Sequence, residues 1–430
     1  MKLQISVIVI LLLLGISYSF GQSNPDDLQD GKIIESTQFE FPAYEDQYYE
    51  LKEIFTKETY PQFSESPDLE LLNIKYMSDG LKIAGFLYKP RVTEGKKLPL
   101  IILNRWGVGI HGQIRPASMF IYEMFRYASE GFVVIMTQYR GSGGSEGKDI
   151  IGTTEMIDLW NLLPLAKSLG YVDMDNIYMH GLSRGGLVTL LAIKKNFPLK
   201  AAVVIGAAYN IVELVKNTTV LLDYLPDYKT KKEEYKQNFT ATLWADKLNV
   251  PLLIFHGGED AITPLDPLLL AQKLEENCKL YELVIYSKDG HNTTKHREER
   301  IQKTIDWFKN PRTIPIKKPI RCSLEKRGFE EAVKLYKTLK NEKYDMYHFD
   351  RAELNILGYE LIGSNKIDEA IEIFKLNVSE YPDAWNPYDS LGEAYMISGD
   401  NDLAIKYYEK SLELNPDNTN ATEKLKELRE

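Results

Sequence analysis

Two kinds of apolar pattern alternate along residues 67–309 of the chain. Short apolar runs typical of buried strands alternate with segments whose apolar residues recur at helical spacing. This alternation indicates a largely parallel sheet with helices on both faces, and so an α/β domain. The predicted strands are 98–103, 132–138, 177–180, 201–205, 252–255 and 282–286, and the predicted helices are 117–129, 154–168, 187–195, 267–276 and 294–308.

The flanks of this alternation are less regular. Residues 22–66 are polar with scattered aromatic residues and indicate a loose lead-in with one or two short helices. Strand-like runs at 69–77 and 81–88 enclose Ser78-Asp79-Gly80, which predicts a hairpin. Residues 208–245 interrupt the alternation with helical and charged segments, and we expect a small cap there, above the site.

A different, purely helical pattern follows a proline-containing segment at 310–320, which we interpret as a linker. Leu357-Gly358 recurs as Leu391-Gly392, and Ala370 recurs as Ala404, each 34 positions later. This is the period of the tetratricopeptide repeat. We therefore expect an all-α repeat domain at 321–430, in which 329–340 is the second helix of a degenerate repeat and 422–430 is a capping helix.

The first 21 residues have the pattern of a secretory signal peptide. Met1-Lys2 precedes an apolar run at 5–14, and the small residues Ser19 and Gly21 suit cleavage before Gln22. An uncleaved anchor is the alternative, but the run is short for a membrane span. We expect an exported protein, periplasmic or extracellular, with no membrane span after cleavage.

Charge and cysteine content narrow the classes of partner and cofactor. The net charge of −10 argues against nucleic acid, whose phosphates require a basic surface. No Cys/His group has the spacing of a metal site, so neither a metal nor another cofactor is expected. Cys278 and Cys322 do not make a disulfide framework, and we expect two free thiols, although an exported protein offers conditions to join them.

A candidate nucleophile lies in the run Gly181-Leu182-Ser183-Arg184-Gly185-Gly186. This run follows a predicted strand and opens a predicted helix, so its G-x-S-x-G pattern fits the nucleophile elbow of an α/β hydrolase. The turn forces the serine into a strained backbone conformation and requires small neighbours. The serine hydroxyl is then exposed at a helix N-terminus, where backbone amides face a developing oxyanion.

Two further residues complete a candidate triad. Asp260 and His291 each lie in a loop just after a predicted strand, at the edge of a parallel sheet where sites assemble. The order Ser183, Asp260, His291 is the order of α/β hydrolases. Glu259 competes with Asp260 for the role of the acid.

Residues 69–308 resemble the prolyl oligopeptidase family of serine hydrolases. The resemblance rests on the hairpin turn Asp79-Gly80, Tyr139-Arg140-Gly141-Ser142-Gly143, the elbow with its doubled glycine, Trp244-Ala245-Asp246-Lys247-Leu248, and His256-Gly257 before Asp260. It implies an α/β-hydrolase fold, Ser183 as nucleophile, His291 as base and Asp260 as orienting acid. It also implies attack on an ester or amide carbonyl through an acyl-enzyme. The amide of Arg184 and one from Arg105 or Trp106 would form the oxyanion hole, although Asn104-Arg105-Trp106-Gly107 departs from the usual family motif.

The chain also departs from peptidases of that family before the hydrolase domain. Only about 50 residues separate the signal segment from this domain, too few for a β-propeller. The sequence therefore favours hydrolysis of carboxylic esters or small peptide-like amides. The alternatives are a prolyl oligopeptidase-type peptidase and a repeat-based binding or scaffold protein with a vestigial hydrolase domain. The repeats would bind a protein partner or a second copy of the chain.

Overall fold

The computed structural model describes residues 30–47, 49–91, 95–263, 266–310, 313–342 and 347–430, so the predicted signal segment lies outside the described residues. Its main element is a sheet of nine strands. They are β1 (Ile33–Gln38), β2 (Leu69–Ser78), β3 (Leu81–Pro90), β4 (Leu98–Asn104), β5 (Val133–Thr137), β6 (Val172–Leu182), β7 (Ala201–Ile205), β8 (Leu252–Gly257) and β9 (Tyr281–Tyr286).

The strands lie in the order β1-β2-β3-β5-β4-β6-β7-β8-β9. From β5 to β9 every pairing is parallel, whereas β1, β2 and β3 join antiparallel. The predicted hairpin is confirmed: β2 and β3 are joined by Asp79 and Gly80, with φ of 53° and 73°. Two positive φ values are typical of the two-residue turn that matches the twist of paired strands.

Helices cover both faces of the sheet, as the sequence predicts. The hydrolase helices are α1 (Tyr49–Ile54), α2 (Pro61–Ser64), α3 (Met119–Ser129), α4 (Thr154–Ser168), α5 (Arg184–Lys194), α6 (Ile211–Asn217), α7 (Lys232–Phe239), α8 (Asp266–Glu276) and α9 (Arg297–Lys309). One apolar core packs α4, α5 and α8 against one face, and a second packs α3 and α9 against the other. Successive residues of β4 alternate between these cores, since strand side chains have a period of two.

The lead-in is more ordered than its sequence indicates. Its short helices α1 and α2 are present, but β1 also adds a strand to the edge of the sheet. The prediction of a loose segment was wrong for residues 33–38. Most of these residues are exposed, so their sequence has no apolar pattern to reveal the strand.

The region between β7 and β8 forms a helical cap. It contains α6, a 3₁₀ segment at Thr219–Tyr224 and α7. Tyr224 packs so closely on the loop after β4 that a Cβ on Gly109 would lie 2.1 Å from the tyrosine oxygen. The cap therefore limits where the loop after β4 can lie.

The C-terminal region is helical from residue 317 onward. Its helices are α10 (Lys317–Arg327), α11 (Phe329–Glu342), α12 (Arg351–Gly363), α13 (Ile367–Glu380), α14 (Trp385–Ser398), α15 (Asn401–Leu414) and α16 (Thr419–Arg429). A short parallel pair joins β10 (Ile314–Pro315) to β11 (Tyr347–His348). The prediction of a linker at 310–320 was wrong from residue 314, because the repeat region's own core includes Ile314 and Ile316.

The repeats contact the hydrolase domain at the turn between α8 and β9. Lys318 pairs with Glu275 at 3.2 Å, and Lys326 donates to the Glu276 carbonyl at 2.7 Å. Leu280 packs against the core of the repeats. Cys278 lies beside Cys322 in this contact, and both are free thiols.

The repeat glycines allow a direct test of the close approach of paired helices. A Cβ at Gly358 would lie 2.4 Å from the ring of Phe374, whereas one at Gly363 would meet nothing within 4 Å. We expect Gly358→Ala to lower the free energy of unfolding by about 1–3 kcal/mol through overpacking. Gly363→Ala, the matched control, should raise it by about 0.5–1 kcal/mol through helix propensity.

Urea unfolding of the full chain, followed by far-UV circular dichroism, measures both changes. Equal midpoints for the two variants would contradict the packing account.

Candidate active site

Ser183 lies between β6 and α5 in a strained backbone conformation. Its φ is 55° and its ψ is −116°, a combination that side-chain-bearing residues rarely adopt. The Ser183 amide donates to the Ile205 carbonyl at 2.8 Å, and the Gly186 amide donates to the Ser183 carbonyl at 2.9 Å. These bonds fix the turn between β7 and the first turn of α5.

The glycines of the elbow are required by contact distances. A Cβ at Gly181 would lie 2.1 Å from the carbonyl oxygen of Gly185, and one at Gly185 would lie 2.1 Å from that of Asn104. A Cβ at Gly186 would lie 2.4 Å from the methyl group of Ala207. The elbow is therefore packed directly against the loop that follows β4.

The structure brings the three predicted side chains into one hydrogen-bonded chain. His291 Nε2 lies 2.8 Å from Ser183 Oγ, and His291 Nδ1 lies 2.8 Å from Asp260 Oδ2. An ionised carboxylate only accepts, so Nδ1 carries the proton and Nε2 accepts from the serine hydroxyl. Ser183 and His291 are half-buried, whereas Asp260 is buried.

Asp260 is held in its ionised form by its surroundings. Burial opposes the charge, but the hydrogen bond and charge of His291 and the amide of Ile262 lower the pKa of Asp260 to about 2. Its Oδ1 accepts from the amides of Ile262 and Thr263, and its Oδ2 accepts from the hydroxyl of Thr263 at 3.0 Å. Glu259 is exposed, so Asp260 is the acid that contacts the imidazole.

A further aspartate organises the loop that carries His291. Asp289 is 1% exposed and accepts from the amides of Gly290, Lys295 and His296 at 3.1–3.3 Å. It also pairs with the ring of His296 at 3.0 Å. Sequence reasoning did not single out Asp289, although an aspartate before glycine at a strand end is a turn signal.

The oxyanion candidates lie at the junction of the elbow and the loop after β4. Arg184 is the first residue of α5, and its side chain turns away into ion pairs with Asp149 and Glu155. Arg105 is fully buried, whereas Trp106 is 40% exposed. The roles of their amides stay predictions.

The other histidines of the hydrolase domain differ in their surroundings. His180 is fully buried, and burial lowers its pKa to about 4. His256 is also buried; its Nε2 lies 3.7 Å from Asp260 Oδ2, too far for a hydrogen bond, and burial lowers its pKa. His111 is exposed, and His296 stacks on Tyr286.

The described ranges contain neither a metal-ligand group nor a membrane-spanning helix. Within residues 30–430, apart from the short gaps, no three His, Cys, Asp or Glu side chains gather as metal ligands. Across the same part of the chain, each helix is too short or too polar to span a bilayer.

Comparison with known proteins yields family matches in both halves of the chain. Residues 118–312 match the prolyl oligopeptidase family, and residues 390–418 match the tetratricopeptide repeat. Both agree with the resemblance and the repeat period that the sequence indicates.

Individual relatives are peptidases. The chain is 28% identical over 267 residues to the uncharacterized peptidase YtmA of Bacillus subtilis (strain 168), covering 60% of this chain and 99% of that protein. It is 26% identical over 231 residues to dipeptidyl peptidase 8 of Mus musculus, covering 50% of this chain and 25% of that protein.

A solved acylaminoacyl peptidase in complex with Z-Gly-Gly-Phe-chloromethyl ketone has the same fold. It superposes with a TM-score of 0.51 at 22% identity, covering 60% of this chain and 44% of that chain. This chain thus spans under half of that neighbour. The chain thus carries a serine hydrolase domain that is similar to the prolyl oligopeptidase family over residues 118–312, followed by a helical region that contains a tetratricopeptide repeat.

Proposed function

We propose that this serine hydrolase cleaves carboxylic esters or small peptide-like amides through an acyl-enzyme formed on Ser183. His291 takes the proton of the serine hydroxyl during attack and returns it to the leaving group. Asp260 keeps the proton of the imidazole on Nδ1, so that Nε2 faces the nucleophile. Water then attacks the acyl-enzyme with the same histidine as base.

The single observation that carries this proposal is the hydrogen-bonded chain from Ser183 Oγ through His291 to Asp260, with both links at 2.8 Å. In a vestigial hydrolase domain, we would expect at least one of three features to be lost: the strained elbow, the ionised carboxylate or the hydrogen-bonded histidine. The intact arrangement therefore favours an enzyme over a scaffold protein.

Stabilisation of the tetrahedral intermediate would come from two backbone amides. The Arg184 amide lies at the start of α5, where unpaired helix amides point outward. The second amide would come from Arg105 or Trp106, since the loop after β4 packs on the elbow. One such donor contributes about 3 kcal/mol to the transition state.

The names of the relatives favour amide substrates as the second candidate. YtmA, called a peptidase, matches this chain over 99% of its own length and therefore has no room for a separate propeller domain. This supports cleavage of short peptides by the hydrolase domain alone. A panel of p-nitrophenyl acyl esters and aminoacyl p-nitroanilides separates the two activities by the ratio of their kcat/KM values.

We further propose a role in protein binding for the repeats and export for the whole chain. Tetratricopeptide regions present helix surfaces suited to a protein partner or a second copy of the chain. Export rests on the N-terminal pattern of a lysine, an apolar run and small residues before Gln22.

The nucleophile is tested by labelling with a fluorophosphonate, which reacts with activated serine. We expect the wild-type protein to be labelled, Ser183→Ala to show no label, and His291→Ala to react at least about 100-fold more slowly because its base is lost. His348→Ala, an exposed histidine of the repeat region, should label at the wild-type rate. Absence of label on folded wild-type protein would refute the proposal.

The acid is tested by Asp260→Asn. We expect kcat to fall roughly 10³–10⁴-fold at neutral pH, because the amide no longer fixes the required tautomer. Since the pKa of Asp260 is about 2, this carboxylate stays ionised throughout the assay range. Its own titration therefore causes no change of rate in the pH–rate profile.

We therefore expect kcat/KM of Asp260→Asn to stay below the wild-type value at every pH at which the wild-type carboxylate is ionised. Measurement of kcat/KM from pH 4 to pH 9 decides this. An unchanged rate and profile would remove Asp260 from the mechanism.

Export is tested by expression of the full chain in a bacterial host, followed by N-terminal sequencing of the secreted or periplasmic protein. We expect the mature chain to begin at Gln22. A Ser19→Lys variant, with a bulky charge at the cleavage site, should retain the precursor. Recovery of the intact N-terminus of the wild-type protein from the cytosol would contradict export.

A further inference from the structure

A compact group of buried charges lies directly beneath the elbow. It consists of two arginines and two carboxylates around one aromatic ring, all at most 5% exposed, and we call it the Arg–carboxylate cluster: Arg105, Arg184, Asp149, Glu155 and Tyr139. Its formal charges balance. The guanidinium groups of Arg105 and Arg184 lie 4.2 Å and 4.5 Å from the ring centroid of Tyr139. The catalytic steps described above use none of these side chains.

Asp149 joins the elbow to the loop after β4. Its two oxygens accept from the guanidinium of Arg184 at 2.8 Å and 2.5 Å. The oxygen Oδ2 also accepts from the amide of Gly109 at 3.2 Å. Arg184 in turn donates to the Gly107 carbonyl at 3.3 Å. Asp149 thus connects Arg184 to Gly109, and Arg184 itself contacts Gly107 of the same loop.

The rest of the cluster fixes the beginning of the same loop. Tyr139 donates its hydroxyl to the Arg105 carbonyl at 3.1 Å, and Arg105 donates to the Trp106 carbonyl at 3.0 Å. Gly107 and Gly109 have φ of 67° and 48°, so the loop follows a path that ordinary residues avoid. Side-chain bonds from the cluster thus add to the single 3₁₀ segment at Gly109–Gly112 that this loop contains.

The cluster lies next to the amides that would stabilise the oxyanion in the transition state. The two amides assigned to the oxyanion lie on either side of the junction that Asp149 connects, one on Arg184 and one on the loop at 105–106. Stabilisation of an oxyanion depends on donors that are already correctly placed before charge develops. We propose that Asp149 is a positioning residue that holds the loop amide in place relative to Ser183. This inference rests on the proposed function.

Burial and charge explain why an aspartate suits this position. Burial alone would lower the pKa of Arg184, but the carboxylates of Glu155 and Asp149 raise it above its ordinary value. Arg105 has no such direct ion pair among the described residues, and burial lowers its pKa to about 10. Replacement of Asp149 by asparagine leaves the cluster with a net positive charge and with one acceptor oxygen in place of the two that now serve Arg184 and the Gly109 amide.

The test compares Asp149→Asn with the wild-type protein, using p-nitrophenyl acetate as substrate and phenylboronic acid as an analogue of the tetrahedral intermediate. We expect kcat per active site to fall about tenfold or more with KM within about threefold, because the lost interaction is made only in the transition state. The inhibition constant of the boronate should rise by the same factor by which kcat/KM falls. Hydrogen exchange in the peptide 105–112 should become faster.

Glu123→Gln is the matched control. Glu123 is also a buried carboxylate, bound to Arg300 at 2.6 Å, but it joins α3 to α9 on the other face of the sheet. We expect this variant to lose stability while its kcat and boronate affinity per active site stay at wild-type values. A fall in Glu123→Gln equal to that in Asp149→Asn would mean that general destabilisation explains the loss, and the inference would be overturned.

A second variant keeps the test decisive if Asp149→Asn does not fold. The double substitution Asp149→Asn with Arg184→Met removes one charge of each sign, and such neutral replacements of buried pairs are often tolerated. It should show the same loss of kcat and boronate affinity. Wild-type values in either folded variant, within twofold, refute the positioning role. Fluorophosphonate labelling of the wild-type protein separates that result from failure of the proposed function.

Discussion

The strained backbone of Ser183 is the constraint on which the rest of the hydrolase domain depends. A conformation of this kind costs of order 1–3 kcal/mol and persists only where the surrounding structure enforces it. Here the enforcement comes from three directions: the Ile205 carbonyl in β7, the first turn of α5, and the carbonyl of Asn104 at the end of β4. The Gly185 carbonyl, the Asn104 carbonyl and the Ala207 methyl group each leave no room for a Cβ, which is why the motif has three glycines.

Three buried aspartates perform a common physical task around this elbow. Asp149, Asp260 and Asp289 each accept backbone amides from an irregular loop at the carboxyl edge of the sheet. Buried amides outside helices and sheets need acceptors, and a carboxylate supplies several from one side chain. These carboxylates thus stabilise the loops near Ser183, which lie outside the α-helices and the sheet. Of these three aspartates, Asp260 is the one that also contacts the imidazole of His291.

The sequence predicts most of this fold because the parallel strands are apolar on both faces. The three residues of the hydrogen-bonded chain were identifiable because each has its own local signal: a glycine-rich elbow, or a polar residue just after a buried strand. The strand β1 has no such signal, since it lies at an edge with exposed side chains. Pro319 suggested a linker, but it lies in the first turn of α10, where a helix tolerates proline. Asp149 and Arg184 are 35 positions apart, and no local pattern relates them.

The attachment of the repeats to the hydrolase domain has a geometric consequence. The helix α8 begins six residues after Asp260 and ends at the turn that Lys318 and Lys326 contact. Its 11 residues span about 16 Å, so the repeats attach at the end of the helix remote from Asp260. A force applied to the helical array would act on this end of α8, whose other end is joined to the segment that bears Asp260.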